Sequence, residues 1–144
     1  MAKRSLSSAQ QRGSFVSESK TILGSKKLMA FVATRDAGRA KAFYRDTLGL
    51  PLVSEDQFAL VFDVAGTMLR VTTVQEARAV KHTVLGWQVP NIIETAKRLH
   101  EAGVTLERYA GMQQDELGVW KSPSGAKVAW FKDPDGNTLG ITQF

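Results

Sequence analysis

The stretch Phe131-Lys132-Asp133-Pro134-Asp135-Gly136-Asn137-Thr138-Leu139-Gly140 has a counterpart 70 residues earlier, Val61-Phe62-Asp63-Val64-Ala65-Gly66-Thr67-Met68-Leu69-Arg70. Asp63 matches Asp133, Gly66 matches Gly136, Leu69 matches Leu139 and, just beyond, Thr72 matches Thr142. Both copies read as a strand, a turn built on Asp and Gly, and a returning strand. Upstream, an offset of 55 pairs Met29 with Val84, Thr34 with Val89 and Asp36 with Asn91. Two independent matches in the same element order indicate an internal duplication.

The elements fill in between these anchors. Leu28–Thr34 is an apolar strand. Asp36 is a good N-cap for a helix carrying Ala40, Phe43, Tyr44 and Leu48 at helical spacing, which Gly49 ends. Strands follow at Pro51–Ser54, Phe58–Phe62 and Met68–Val74. The second copy starts with a strand at Thr83–Val89, and its helix, Ile92–Ala102, stops at Gly103. Strands are then expected at Val104–Arg108, Leu117–Lys121, Lys127–Lys132 and Asn137–Phe144. Neither half is large enough to bury a sheet face alone, so the two should pack as one structure. The expected class is α+β: two βαβββ modules, residues 27–76 and 82–144, forming a strongly curved, cupped mixed sheet with helices outside. Together they make a single domain over residues 27–144.

Composition limits what such a domain can do. The chain has 144 residues, 43% hydrophobic and 23% charged, which are the proportions of a soluble globular protein. It has no cysteine, so disulfides, thiolate metal sites and a cysteine nucleophile are ruled out, in keeping with a cytoplasmic location. No apolar run approaches the roughly 20 residues that cross a bilayer, and Sec export is not expected. The net charge of +5 is concentrated at the start: Lys3, Arg4, Arg12 and Lys20 against Glu18 give +3 in the first 24 residues. Residues 1–26 read as a basic, Ser-rich tail. A transit peptide shares that composition, but the segment lacks an amphipathic period. Nothing downstream interleaves basic and aromatic residues as a nucleic-acid platform does, so no nucleic-acid or membrane partner is expected.

Asp36, Ala40, Phe43-Tyr44 and Leu48-Gly49, followed by Phe131-Lys132-Asp133-Pro134-Asp135-Gly136-Asn137, resemble the vicinal oxygen chelate superfamily. That superfamily includes glyoxalase I, bleomycin- and fosfomycin-resistance proteins and ring-cleaving dioxygenases. The resemblance covers residues 27–144, and Asp115–Asn137 looks particularly like a branch of small bacterial members. It implies an eight-stranded curved sheet around a pocket, often within a homodimer. In metal-using members it also implies four ligands, usually His, Glu or Gln, from the first and last strand of each module. These hold a divalent ion that coordinates vicinal oxygens of a substrate.

Carried onto this chain, those ligand positions fall on Met29, Arg70, Val84 and Gly140. Met offers a soft thioether, Val and Gly offer no donor side chain, and Arg is permanently cationic. Shifting the alignment by one residue either way finds no better set. The superfamily's metal is therefore not expected, and no other cofactor is implied. His82, at the mouth of a strand, and His100, on a helix, read as surface or rim residues.

Strand alternation identifies which side chains share the pocket face with these positions. In the first module they are Met29, Phe31, Ala33, Met68, Arg70 and Thr72. In the second they are Val84, Gly86, Gln88, Thr138, Gly140 and Thr142. Of these, Met29, Phe31, Met68, Arg70, Thr72, Val84, Gln88 and Gly140, with Trp120 and Trp130, form the candidate ligand-binding set. Arg70 has two readings. It anchors an anionic ligand through a bidentate contact, or it pairs internally with Asp63, Asp115 or Glu116 or lies exposed at the rim. Trp87 reads as core beneath the helix; Trp120 and Trp130 fit either packing or ligand stacking. Asp115, Glu116 and Tyr109 border a long connection able to act as a lid.

Two classes of function remain. One is a metal-free small-molecule-binding protein with an apolar pocket for an anionic or aromatic ligand, working as a homodimer. The other is an enzyme, a glyoxalase-like lyase or isomerase or a dioxygenase-type protein, metal-independent or with a non-standard metal site. A structural or regulatory subunit that kept only the fold is a third reading.

Overall fold

A computed structural model describes residues 21–144. Most of the tail expected over residues 1–26 lies outside the described residues. Residues 21–26 form a short turn, with Lys26 N bonded to Leu23 O, before the first strand.

The elements run β1 (Met29–Thr34), α1 (Ala37–Lys41), a π-helical turn (Ala42–Thr47), β2 (Leu52–Glu55), β3 (Ala59–Val64) and β4 (Thr67–Thr73). They continue with β5 (Thr83–Gln88), α2 (Ile92–Glu101), β6 (Trp120–Lys121), β7 (Lys127–Lys132) and β8 (Thr138–Gln143). Eight strands form two four-stranded mixed sheets, ordered β1-β4-β3-β2 and β5-β8-β7-β6. The sheets approach each other through β1 and β5, which are not hydrogen-bonded to one another, and they curve without closing.

The duplication is visible in the register. Parallel pairing of β1 with β4 sets Phe31 opposite Arg70 and Ala33 opposite Thr72. Parallel pairing of β5 with β8 sets Gly86 opposite Gly140 and Gln88 opposite Thr142. Offsets of 55 and 70 map each of these pairs onto the other. The helix starts agree as well. Asp36 accepts from Arg39 N at 3.1 Å and Asn91 accepts from Glu94 N at 3.1 Å, both from extended backbone. Gly66 and Gly136 take φ of +91° and +84°, which a side chain would strain.

The core lies between the sheets and the helices. On α2, Ile92, Ala96 and Leu99 are buried at helical spacing; on β3 and β7, Phe62 and Phe131 are fully enclosed. Truncating either phenylalanine to Ala would cost about 3–5 kcal/mol.

Two local expectations need correction. The first helix is not α-helical to its end, because residues 42–47 form a wider π-turn closed by Leu48 N bonding Phe43 O at 2.9 Å. The sequence neighbours Phe43 and Tyr44 both turn inward there, in edge-on contact at 5.2 Å, with Phe43 against Phe131 and Tyr44 against Phe62. The strand expected at Val104–Arg108 is reduced to a single bridge, Leu106 with Phe131. The cause is Gln114, whose amide bonds Glu107 O, Gly118 O and Tyr109 N, drawing the chain off β7 until it returns at Trp120.

Candidate ligand-binding site

Alternation along β1 and β4 separates two faces. Val32, Thr34, Leu69 and Val71 are buried toward the helices, whereas Met29, Phe31 and Met68 are 43%, 61% and 39% exposed on the opposite, concave face. Ala33, Arg70 and Thr72 share that face and are half-buried. At one end the face forms a cavity of about 470 Å³, whose lining includes Met29, Met68, Val53, Val61 and, at its rim, Lys27 and Asp63.

Arg70 lies farther along, between Phe31 on β1 and Val61 on β3. Among the described residues no hydrogen bond or ion pair within 4.0 Å reaches its side chain. The acidic partners considered for it are otherwise engaged or exposed. Asp63 accepts from Gly66 N, Asp115 accepts from Leu117 N and Val119 N, and Glu116 lies exposed in the loop. Asp56 is held below the ordinary carboxylate value, first by the amides of Phe58 and Ala59, and only to a lesser degree by the charge of Arg70. The guanidinium thus sits on a partly apolar face with free donors.

The second sheet carries aromatic groups on the equivalent face. Trp130 stands opposite Gly140 and donates from Nε1 to Thr83 Oγ1 at 3.1 Å. Trp120 packs against it at 6.0 Å, tilted by 34°, and Tyr109 meets it edge-on at 5.5 Å. Burial first, and then the charge of Glu107, pushes the Tyr109 hydroxyl above its ordinary pKa. Gly140 is buried, and a Cβ there would lie 3.4 Å from the Thr83 methyl and 3.5 Å from Trp130 Cδ1. Val84 is exposed on the same face, at the register shift between Thr83 and Leu85. Gln88, at the end of β5, instead borders a separate cavity beside α2. Trp87 stacks on Phe131 at 6.4 Å on the helix side. His82 and His100 are both exposed, on a loop and on α2.

Comparison with known proteins gives this architecture its family. A sequence model described as the Glyoxalase/Bleomycin resistance protein/Dioxygenase superfamily matches residues 27–141. The chain belongs to that superfamily. It is 29% identical to the uncharacterised protein YraH of Bacillus subtilis (strain 168), over 81% of this chain and 96% of YraH. A superfamily member from Sphaerobacter thermophilus superposes with a TM-score of 0.66 at 23% identity, covering 83% of this chain and 98% of that one. Lactoylglutathione lyase from Agrobacterium tumefaciens gives 0.65 at 19% identity, over 83% and 93%. At these identities the solved structures share the fold.

Within this glyoxalase superfamily member, the residues at the four positions onto which the resemblance carried metal ligands do not fit a divalent cation. Met29, Arg70, Val84 and Gly140 supply no carboxylate, imidazole or amide. Among the described residues, no three His, Asp or Glu side chains gather elsewhere. No helix among them is long and apolar enough to cross a membrane.

Sequence reasoning missed Val53, Val61 and Gln114. Val61 was recoverable, since it lies directly opposite Arg70 once β3 and β4 are paired. Gln114 sits in a polar run with no periodic signal, and its role exists only through the three backbone groups it gathers.

Proposed function

We propose that this chain is a metal-free small-molecule-binding protein of the glyoxalase/bleomycin-resistance type, acting as a cytoplasmic homodimer. Its binding domain spans residues 27–144, with modules at 27–76 and 82–144 and a tail at 1–26. The ligand is a small apolar or aromatic molecule bearing an anionic group. Its body lies against Met29, Phe31 and Met68, and its charge meets Arg70, with Thr72 beside it. Trp120, Trp130, Val84 and Gly140 belong to the second module's part of the site.

The observation that carries this reading is Arg70. A guanidinium half-buried beside exposed methionine and phenylalanine side chains, with no acid within 4.0 Å among the described residues, lacks the partner that a carboxylate or phosphate supplies. Exposure of Phe31, Met29, Met68 and Val84 on one face supports the homodimer, since so much apolar surface favours being covered. The test is a thermal-shift panel of matched anionic and neutral aromatic compounds on the wild-type protein and on Arg70→Met. Anionic compounds should stabilise only the wild type. If Arg70→Met folds and responds to the same anions equally well, the reading is wrong.

A further inference from the structure

A different cavity lies on the helix side of the second sheet. It measures about 240 Å³, and its walls include Leu48 and Leu50, which follow the π-turn, Trp87 on β5 and Leu99 on α2. A second cavity of about 260 Å³ continues it outward, sharing Leu48, Thr95 and Leu99 and adding Thr47 and Arg98 at the mouth. Leu48, which caps the π-turn, and Leu50 just beyond it form one wall, facing Thr95 and Leu99 of α2 across the cavity.

The inner part is mostly apolar, with Gln88 and Thr95 as its polar side chains, and the mouth carries hydrogen-bond donors. Arg98 has no ion pair within 4.0 Å among the described residues, and the Thr47 hydroxyl makes no side-chain hydrogen bond there. The Thr95 hydroxyl is already committed, donating to Asn91 O at 3.1 Å. Guanidinium and hydroxyl at the rim of an apolar cavity suit a carboxylate head on a hydrocarbon body. A cavity of about 150 Å³ holds benzene, so the inner chamber has room for one ring with a short side chain.

We propose that the cavity between the π-turn and α2 binds a small amphipathic monocarboxylate, its ring or chain against Leu48, Leu50, Trp87 and Leu99 and its carboxylate between Arg98 and Thr47. This site is separate from the concave face that carries Arg70. It draws only Leu48 and Leu50, with Thr47 at the mouth, from the first module.

The test is titration of full-length protein with 3-phenylpropanoate and with its uncharged analogue 3-phenylpropanol, followed by ¹H–¹⁵N chemical shifts. The acid should bind saturably, moving the amides of Leu48, Thr95 and Leu99 and leaving those of Phe31 and Met68 in place. Arg98→Gln, an exposed change that spares the core, should weaken the acid at least roughly fivefold and leave the alcohol unchanged. Thr47→Val should weaken the acid in the same sense. The proposal is overturned by any of three results: no saturable binding, acid and alcohol bound equally by Arg98→Gln and wild type, or shifts confined to the concave face.

Discussion

The hydroxyl of Tyr44, in the first module's π-turn, donates a 2.7 Å hydrogen bond to Oδ2 of Asp133, in the closing turn of the second module. Asp133 is only 6% exposed and accepts three further bonds, from Asp135 N, Asn137 N and Asn137 Nδ2. Asn137 Nδ2 reaches on to Ala33 O of β1, and Arg35 N bonds Asp135 Oδ1. The Asp-Pro-Asp-Gly-Asn turn therefore joins the modules as well as closing a hairpin. Asp63, its counterpart, is exposed, and among the described residues its carboxylate accepts only from Gly66 N.

Tyr44→Phe removes one donor from a buried carboxylate while keeping the ring that packs on Phe62. Hydrogen bonds to charged groups are worth about 1.5–3 kcal/mol, so the variant should unfold at lower urea with an unchanged m-value. A midpoint equal to that of the wild type would show that the link between modules contributes nothing to stability.

The same pair sets an alkaline limit. Burial first, and then the charge and hydrogen bond of Asp133, push the Tyr44 hydroxyl far above its ordinary 10.0. Above that ordinary value the unfolded chain releases the Tyr44 proton and the native state keeps it. The unfolded state then binds fewer protons, and stability falls as pH rises, by up to about 1.4 kcal/mol per pH unit. Tyr44→Phe lacks this contribution. The stability gap between wild type and variant should be constant from pH 7 to 9 and narrow by pH 11. A gap that stays constant to pH 11 would mean that Tyr44 titrates normally.

The repeated unit was legible because it rests on local chemistry. N-caps at Asp36 and Asn91, turn glycines at Gly66 and Gly136, and strand alternation around Arg70 all act within a few residues. Alternation put Met29, Phe31, Met68 and Arg70 on one face, where the first three are exposed and Arg70 is half-buried. What was not legible depends on distant partners. Asp133 read as a turn residue, since nothing nearby in sequence announces Tyr44. The π-turn also escaped, because Phe43 and Tyr44 fit an α-helical period, and only their two separate packing partners, Phe131 and Phe62, explain the wider turn. The loss of strand at Val104–Arg108 has the same origin, in a glutamine six residues downstream.

That glutamine gives the next prediction. Gln114 receives Tyr109 N at 2.9 Å and donates to Glu107 O and Gly118 O at 2.9 and 2.8 Å, holding both ends of the loop between Tyr109 and Trp120. Gln114→Ala should cost about 1–3 kcal/mol. It should also release Tyr109 and Trp120 from Trp130, red-shifting and quenching the tryptophan emission of the folded protein. A destabilised variant with native emission would limit Gln114 to closing the loop, with no part in placing the aromatic wall.

The last prediction concerns metal. A ligand that binds only the native state at a hundred times its dissociation constant adds about 2.7 kcal/mol, which a melting curve detects readily. At Met29, Arg70, Val84 and Gly140 a dication would meet a thioether, a permanent positive charge and two side chains without donors. Any affinity must therefore come from adventitious surface carboxylates or from exposed His82 and His100. Ni²⁺, Zn²⁺, Mn²⁺ and Fe²⁺ should leave the melting temperature within about a degree of the metal-free value, and purified protein should carry far less than one equivalent. Stoichiometric metal that is retained after dialysis and unaffected by replacing His82 or His100 would overturn the metal-free reading. Metal lost on replacing His82 or His100 would assign it to the surface and leave Arg70 available for an anion.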